Sequence, residues 1–190
     1  PPKLYDLTSL QRDGNRLFGY TAQQVLDYAQ ALYEKKLLTY PRTDSNYLTE
    51  DTAATVPELL ERSVSSLPFS VEIGQTDVSR VVDASKVSDH HALLPTMQVK
   101  QDALAALPAG ERNILTLVMV RLLCAVSEKQ VYEDTAVILD CSGTSFFAKG
   151  RVVTTPGWKA VEQAFLSTLK QKPEKDDPEP AALPSITEGQ

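Results

Sequence analysis

Apolar residues recur at helical spacing through the first two thirds of the chain and alternate with polar ones after about residue 130. Leu4-Tyr5-Asp6-Leu7 alternates and predicts a short strand. Thr8, with Gln11 three residues later, predicts a capped helix that Gly14 weakens and Gly19 ends. Thr21 and Gln24 repeat the capping pattern, and Val25, Leu26, Ala29, Leu32 and Tyr33 give the next helix its apolar face. Lys35 and Lys36 suit its C-terminus, where cations meet the negative end of the helix dipole. Leu37 to Tyr40 then runs extended, so helix, helix and strand follow one another as in a winged-helix unit.

Thr49 caps a further helix, restarted at Pro57, with Leu59, Leu60 and Val64 on its apolar side. Residues 63–88 are Ser-rich and predict a loop with short β-like runs at 69–71 and 78–82. Gln101 to Leu107 is a short helical piece, and Pro108 or Ala109 opens a helix apolar nearly all round, which marks it as the core helix. From about Gln130 the period is two, with Cys141-Ser142-Gly143-Thr144 as a hairpin turn. Gly157-Trp158 leads an amphipathic piece through Phe165. The fold class is α+β and mainly helical. Residues 1–7 and 130–168 read as two parts of a β-rich unit, with Leu4–Leu7 and residues 130–155 sharing one sheet. Residues 8–129 form the helical unit, and the Pro- and charge-rich residues 169–190 form a flexible tail or linker.

Of the 190 residues, 42% are apolar, enough for an ordinary core. No apolar run approaches the roughly 18 residues of a membrane span. Cys124 and Cys141 have no Cys-x-x-Cys partner, so neither a zinc ribbon nor a disulfide framework is indicated, and both read as reduced. The net charge of −6 is the wrong sign for a simple DNA-binding domain. The charge is uneven, however. Residues 1–45 carry six basic and five acidic side chains, and residues 161–190 carry three and six. A basic groove near residue 40 is therefore compatible with the sequence. The exposed positions of the second helix (Gln23, Gln24, Asp27, Gln30, Glu34) are not basic, so that helix reads as scaffold rather than as a DNA reader.

The chemistry concentrates in Leu38-Thr39-Tyr40-Pro41-Arg42-Thr43-Asp44-Ser45. The residue before a proline is driven into extended geometry, so Tyr40 is held outside any helix. Arg42, two along, starts on the same face as the phenol. A phenol is a poor nucleophile at neutral pH, with a pKa of about 10, and a guanidinium both favours the phenolate and grips a phosphate in bidentate fashion. Asp44 can orient Arg42. Taken alone, the stretch also fits a helix-ending turn with a surface ion pair. A second stretch, Ser88-Asp89-His90-His91-Ala92-Leu93-Leu94-Pro95-Thr96, holds the chain's two histidines.

Together these stretches resemble the catalytic region of the type IA DNA topoisomerases, in their topoisomerase III-like branch. Thr39 to Ser45 matches the pattern T-Y-x-R-[TS]-D-S. Asp89 to Thr96 is similar to A-H-x-A-I-x-P-[TS], with Asp89 in place of Ala and Leu93 in place of Ile. The resemblance implies a winged-helix-like (CAP-like) tyrosine domain inserted in a β-rich gate domain of a toroidal enzyme. It implies cleavage and religation of one DNA strand through a 5′-phosphotyrosine, without ATP. Tyr40 would be the nucleophile and Arg42 its phosphate-holding partner. His90, Thr39 and Asp44 would belong to the DNA-binding set.

No metal ligands are indicated in this chain. The family's Mg²⁺ is bound through a D-x-D cluster in a nucleotidyl-transfer domain, and D-x-D is missing from these 190 residues. The expectation is a fragment, inactive alone. Its implied partners are single-stranded or negatively supercoiled DNA, the rest of its own polypeptide, and a helicase as an associated enzyme. It is expected to be a monomer in the bacterial cytoplasm, at the nucleoid, without membrane contact. The competing reading is a non-catalytic winged-helix module that docks DNA or a protein. A tyrosine recombinase ranks lower, because its tyrosine lies late in the chain.

Overall fold

A computed structural model describes residues 1–100, 102–169 and 183. The two helices expected at the start form α1, Leu7–Phe18, and α2, Ala22–Glu34. The cap of α1 differs from the expectation. Asp6, not Thr8, closes the box with Ser9, its carboxylate accepting the Ser9 N–H at 2.6 Å. Gln11 instead donates to the Ala22 carbonyl at 3.0 Å. Thr21 and Gln24 cap α2 reciprocally, as the sequence indicates. Gly19 ends α1 at φ +69°, a left-handed conformation that favours glycine.

The stretch after Thr49 forms α3, Glu50–Ala53, and α4, Val56–Ser66, broken as the proline predicts. The β-like run at 78–82 is instead a 3-10 turn, Val78–Val81, because the Asp77 side chain accepts the Ser79 N–H and winds the chain locally. After α5, Ala103–Ala106, comes α6, Ala109–Val126, the longest helix among the described residues. Ile114, Leu115, Met119, Leu122 and Leu123 are all buried, and α6 packs against α1, α2, α4 and α5. Three of its polar side chains find partners on other elements. Glu111 pairs with Lys35, Asn113 donates to the Tyr20 hydroxyl at 2.8 Å, and Arg121 pairs with Asp13. The α+β class stands, with helices dominant.

β1, Val131–Cys141, and β2, Thr144–Thr155, form an antiparallel hairpin in the expected place. The sheet shared with Leu4–Leu7 is not formed. Tyr5 bridges Leu93 instead, and Asp6 turns the chain into α1 at once. The hairpin is exposed along both strands, with Ile138, Leu139, Phe146 and Phe147 open to solvent. Gly157, at φ +54°, then turns the chain into α7, Trp158–Ser167, which returns to pack on α6. A Cβ at Gly157 would lie 2.5 Å from the Lys129 carbonyl, so only glycine fits this return. The tail expected at 169–190 falls almost wholly outside the described residues. No helix among them is long and apolar enough to cross a membrane.

Both cysteines are free. Cys124 is buried on α6, and burial, with the charge of Glu162, pushes its thiol up to about 12. Cys141 is exposed at the hairpin turn. Because the thiolate is the reactive form, a thiol-reactive chromogen at pH 8 is expected to modify Cys141 rapidly and Cys124 only on unfolding. Two equally fast equivalents would contradict this packing of α6.

Candidate active site

The tyrosine stretch is an excursion from a single extended segment. Thr39 donates its N–H to the Leu94 carbonyl at 3.0 Å, and its hydroxyl oxygen accepts the Leu94 N–H at 3.0 Å. Eight residues later the Tyr47 carbonyl accepts the Ala92 N–H at 2.9 Å. Both ends of the loop therefore hang from residues 92–94. That segment is fixed in turn by the Leu93 N–H, which donates to the Tyr5 carbonyl at 2.8 Å.

Within the loop the side chains alternate. Pro41, Thr43 and Ser45 are buried, while Arg42 and Asp44 are exposed and Tyr40 is half-buried. This is the two-residue period of extended chain. Thr43 is the inner hub, only 7% exposed. Its hydroxyl donates to the His90 carbonyl at 2.9 Å and accepts the Ser45 N–H at 3.1 Å. Its carbonyl accepts the Leu7 N–H at 3.1 Å, tying the loop to the start of α1. The Ser45 hydroxyl donates to the Lys86 carbonyl at 2.8 Å. Two stretches fifty positions apart in sequence are thereby held together.

Tyr40 meets His90 with ring centroids 4.5 Å apart, and a second ring, Tyr33, with centroids 5.4 Å apart and planes at 78°. Beside them lies a cleft of about 430 Å³, lined by Arg42, Thr43, Asp44, Ser88, Asp89, His90 and the beginning of α1 at Asp6, Leu7 and Thr8. Arg42 and the positive end of α1 favour an anion there. Three carboxylates also share the lining: Asp6 accepts from Ser9, Asp44 accepts from the Ser88 hydroxyl at 3.2 Å, and Asp89 lies beside His90. The expected orienting of Arg42 by Asp44 is not formed, and Arg42 makes no ion pair among the described residues. A guanidinium free to turn into the cleft can take a phosphate in its fork.

Of the residues singled out by sequence, Arg42, Asp44 and His90 line this cleft, Tyr40 reaches it through its contact with His90, and Thr39 anchors the loop through its hydroxyl. His91 turns aside, its Nδ1–H donating to the Ala92 carbonyl at 2.7 Å. The periodicity that put Tyr33 on the apolar face of α2 misplaced it, for Tyr33 is 41% exposed and packs on Tyr40. Thr43, Ser45 and Ser88 lay within the two singled-out stretches but had no role of their own. The alternation of hydroxyl residues with Arg42 and Asp44 was their available signal. Among the described residues no group of three or more His, Cys, Asp or Glu side chains is placed to hold a metal ion.

The loop thus presents a half-buried tyrosine and, on an adjoining cleft, an arginine with no ion pair among the described residues. Residues 1–190 match the family model described as DNA topoisomerase. The chain belongs to the DNA topoisomerase family. It is 37% identical to a protein named DNA topoisomerase 3 from Bacillus subtilis, over 99% of this chain and 26% of that protein. It is 38% identical to the protein of the same name from Bacillus licheniformis, with the same coverage. The chain thus spans about a quarter of the length of the curated relatives it matches. Its fold is similar to that of full-length topoisomerase I from Thermotoga maritima, at a TM-score of 0.60 and 21% identity, over 95% of this chain and 29% of that one.

Thr43→Val removes the hydroxyl that bridges His90 and Ser45. We expect a loss of about 1–3 kcal/mol in urea unfolding, since buried partners are left unsatisfied, whereas Thr43→Ser keeps most of the stability. Equal stability of Thr43→Val and the parent would contradict the hub.

Proposed function

We propose that this chain carries the cleaving tyrosine of a type IA, topoisomerase III-like enzyme, which changes DNA topology by cutting and resealing one strand. The observation that carries the proposal is that Arg42 and His90, from two distant stretches, line one cleft while the Tyr40 ring lies against His90. Family membership supports it. In the proposed step the Tyr40 oxygen forms a bond to phosphorus as the bond to the 3′ oxygen breaks. The phenol's proton is released and the departing 3′ oxygen takes one up. Resealing is the reverse, so a phosphate ester is conserved throughout and no ATP is consumed. Arg42 holds the phosphate and offsets the negative charge that develops on it. His90 flanks the phenol and lines the cleft where the strand would lie, with Asp44 and Ser88 shaping the wall beside it.

Mg²⁺ is proposed to bind elsewhere in a longer polypeptide, because the described residues offer it no fitting ligand set. No step here is routed through it. The relatives' length and the hairpin's uncovered apolar faces support a reading in which the hairpin, residues 131–155, belongs to a β-rich gate domain completed by further chain, while residues 4–7 and α7 pack on the helical core. The same reading proposes single-stranded or negatively supercoiled DNA as substrate. It also proposes a monomeric state, a bacterial cytoplasmic site at the nucleoid, and a helicase as an associated enzyme.

A winged-helix docking module draws on the helix-turn-helix of α1 and α2. The exposed side chains of α2 weigh against it, since Gln23 donates to Asp27 at 2.7 Å and Gln30 to Glu34 at 3.1 Å. That surface is satisfied within itself and carries little positive charge.

The test is relaxation of a negatively supercoiled plasmid with Mg²⁺ by the full-length protein bearing this segment. Tyr40→Phe is expected to abolish relaxation. Arg42→Ala is expected to slow it about 10²- to 10³-fold, the usual cost of losing one charge-stabilising donor. The 190-residue chain alone is expected to be inactive. Unchanged relaxation by Tyr40→Phe would leave the docking module as the better reading.

A further inference from the structure

Among the described residues, the large apolar side chains left exposed lie on the hairpin, with one exception, Tyr33. It sits in the last turn of α2, and its hydroxyl makes no hydrogen bond among those residues. It therefore serves neither the core nor a polar network. Its one ring contact is the T-shaped pair with Tyr40. Whichever ring offers its edge, such a pair covers at most one face of Tyr33. Tyr33 is 41% exposed beside Tyr40, and that pair leaves at least one face of its ring uncovered by Tyr40.

We infer that Tyr33 is the stacking platform for the nucleobase next to the cut, the base of the nucleotide whose 5′-phosphate Tyr40 carries. The inference rests on the reading of Tyr40 as nucleophile. A base is separated from its own 5′-phosphate by one sugar, and Tyr33 is separated from the phosphate-bearing tyrosine by one ring contact. The phosphate-gripping group, Arg42, lies on the cleft that His90 also lines, and His90 makes Tyr40's other ring contact. Phosphate and base thus have separate places around one phenol. Stacking on a tyrosine is open to any base, because every base has a π-face. The subsite would hold the cut end of the strand in place without dictating its sequence. An anchored 5′ end is what resealing requires.

The test uses the full-length protein in a Tyr40→Phe background, so that binding is read without cleavage. The ligand is a single-stranded oligonucleotide with one mapped cut site, carrying either a normal nucleotide or an abasic one immediately 3′ of the cut. With Tyr33 present, removing that base is expected to weaken binding about tenfold. Tyr33→Ala should weaken binding of the intact oligonucleotide by a similar factor and be indifferent to the abasic change, while Tyr33→Phe behaves like the parent. 2-Aminopurine at the same position should be quenched on binding by the parent and by Tyr33→Phe, but not by Tyr33→Ala. Additive losses from the abasic change and Tyr33→Ala would overturn the inference, as would no loss from either. Failure of the underlying reading shows separately, as a covalent DNA adduct that still forms with Tyr40→Phe.

Discussion

The site depends on one short stretch of backbone, Ala92 to Leu94, holding both ends of the tyrosine loop. Thr39 is fixed to Leu94 by two hydrogen bonds and Tyr47 to Ala92 by one. The intervening residues must leave that segment and return to it. Pro41 stiffens the outward path, and the buried hydroxyls of Thr43 and Ser45 answer backbone groups that would otherwise be orphaned inside. With the odd-numbered side chains committed inward, Arg42 and Asp44 face out, and half-buried Tyr40 lies against His90. The chemistry-bearing face follows from the period of extended chain once the ends are pinned.

That anchor rests on the helical core. Leu93 is held by Tyr5, and Tyr5 is buried against α6. There the Arg121 guanidinium lies 4.1 Å from the centre of the Tyr5 ring, and the Tyr5 hydroxyl donates to Asp13 at 2.5 Å. Burial keeps that phenol protonated well above its ordinary range. The chain thus contains two tyrosines with opposite fates. Tyr5 is sealed into a charge cluster that joins α1, α6 and the loop's anchor, and Tyr40 is held half-buried at the surface against His90.

Much of this was legible in sequence where a local rule governs. Thr21 and Gln24 marked α2, the unbroken apolar run marked α6, and Cys141 to Thr144 marked the hairpin turn. Tyr-Pro-Arg and the His pair marked the two halves of the site. The failures share a cause, which is tertiary competition for a locally ambiguous segment. Leu4–Leu7 alternates like a strand, but Asp6 caps a helix and Tyr5 finds Leu93 rather than the hairpin. Val78 to Val82 looks β-like, but Asp77 winds it into a turn. Asp44 was expected to hold Arg42, yet Ser88, brought in from 44 residues away, supplies its hydrogen bond. Tyr33 falls on the helical period of its neighbours, and only the folded loop shows that Tyr40 is its partner.

The most direct test of the account is to find where DNA becomes attached. The full-length protein would be trapped with a single-stranded oligonucleotide, denatured and digested, and the nucleotide-bearing peptide sequenced by mass spectrometry. The account predicts a 5′-phosphoryl linkage on Tyr40, in the peptide that contains Leu38 to Pro41. Attachment to Tyr33, Tyr47 or a residue outside this chain would contradict it.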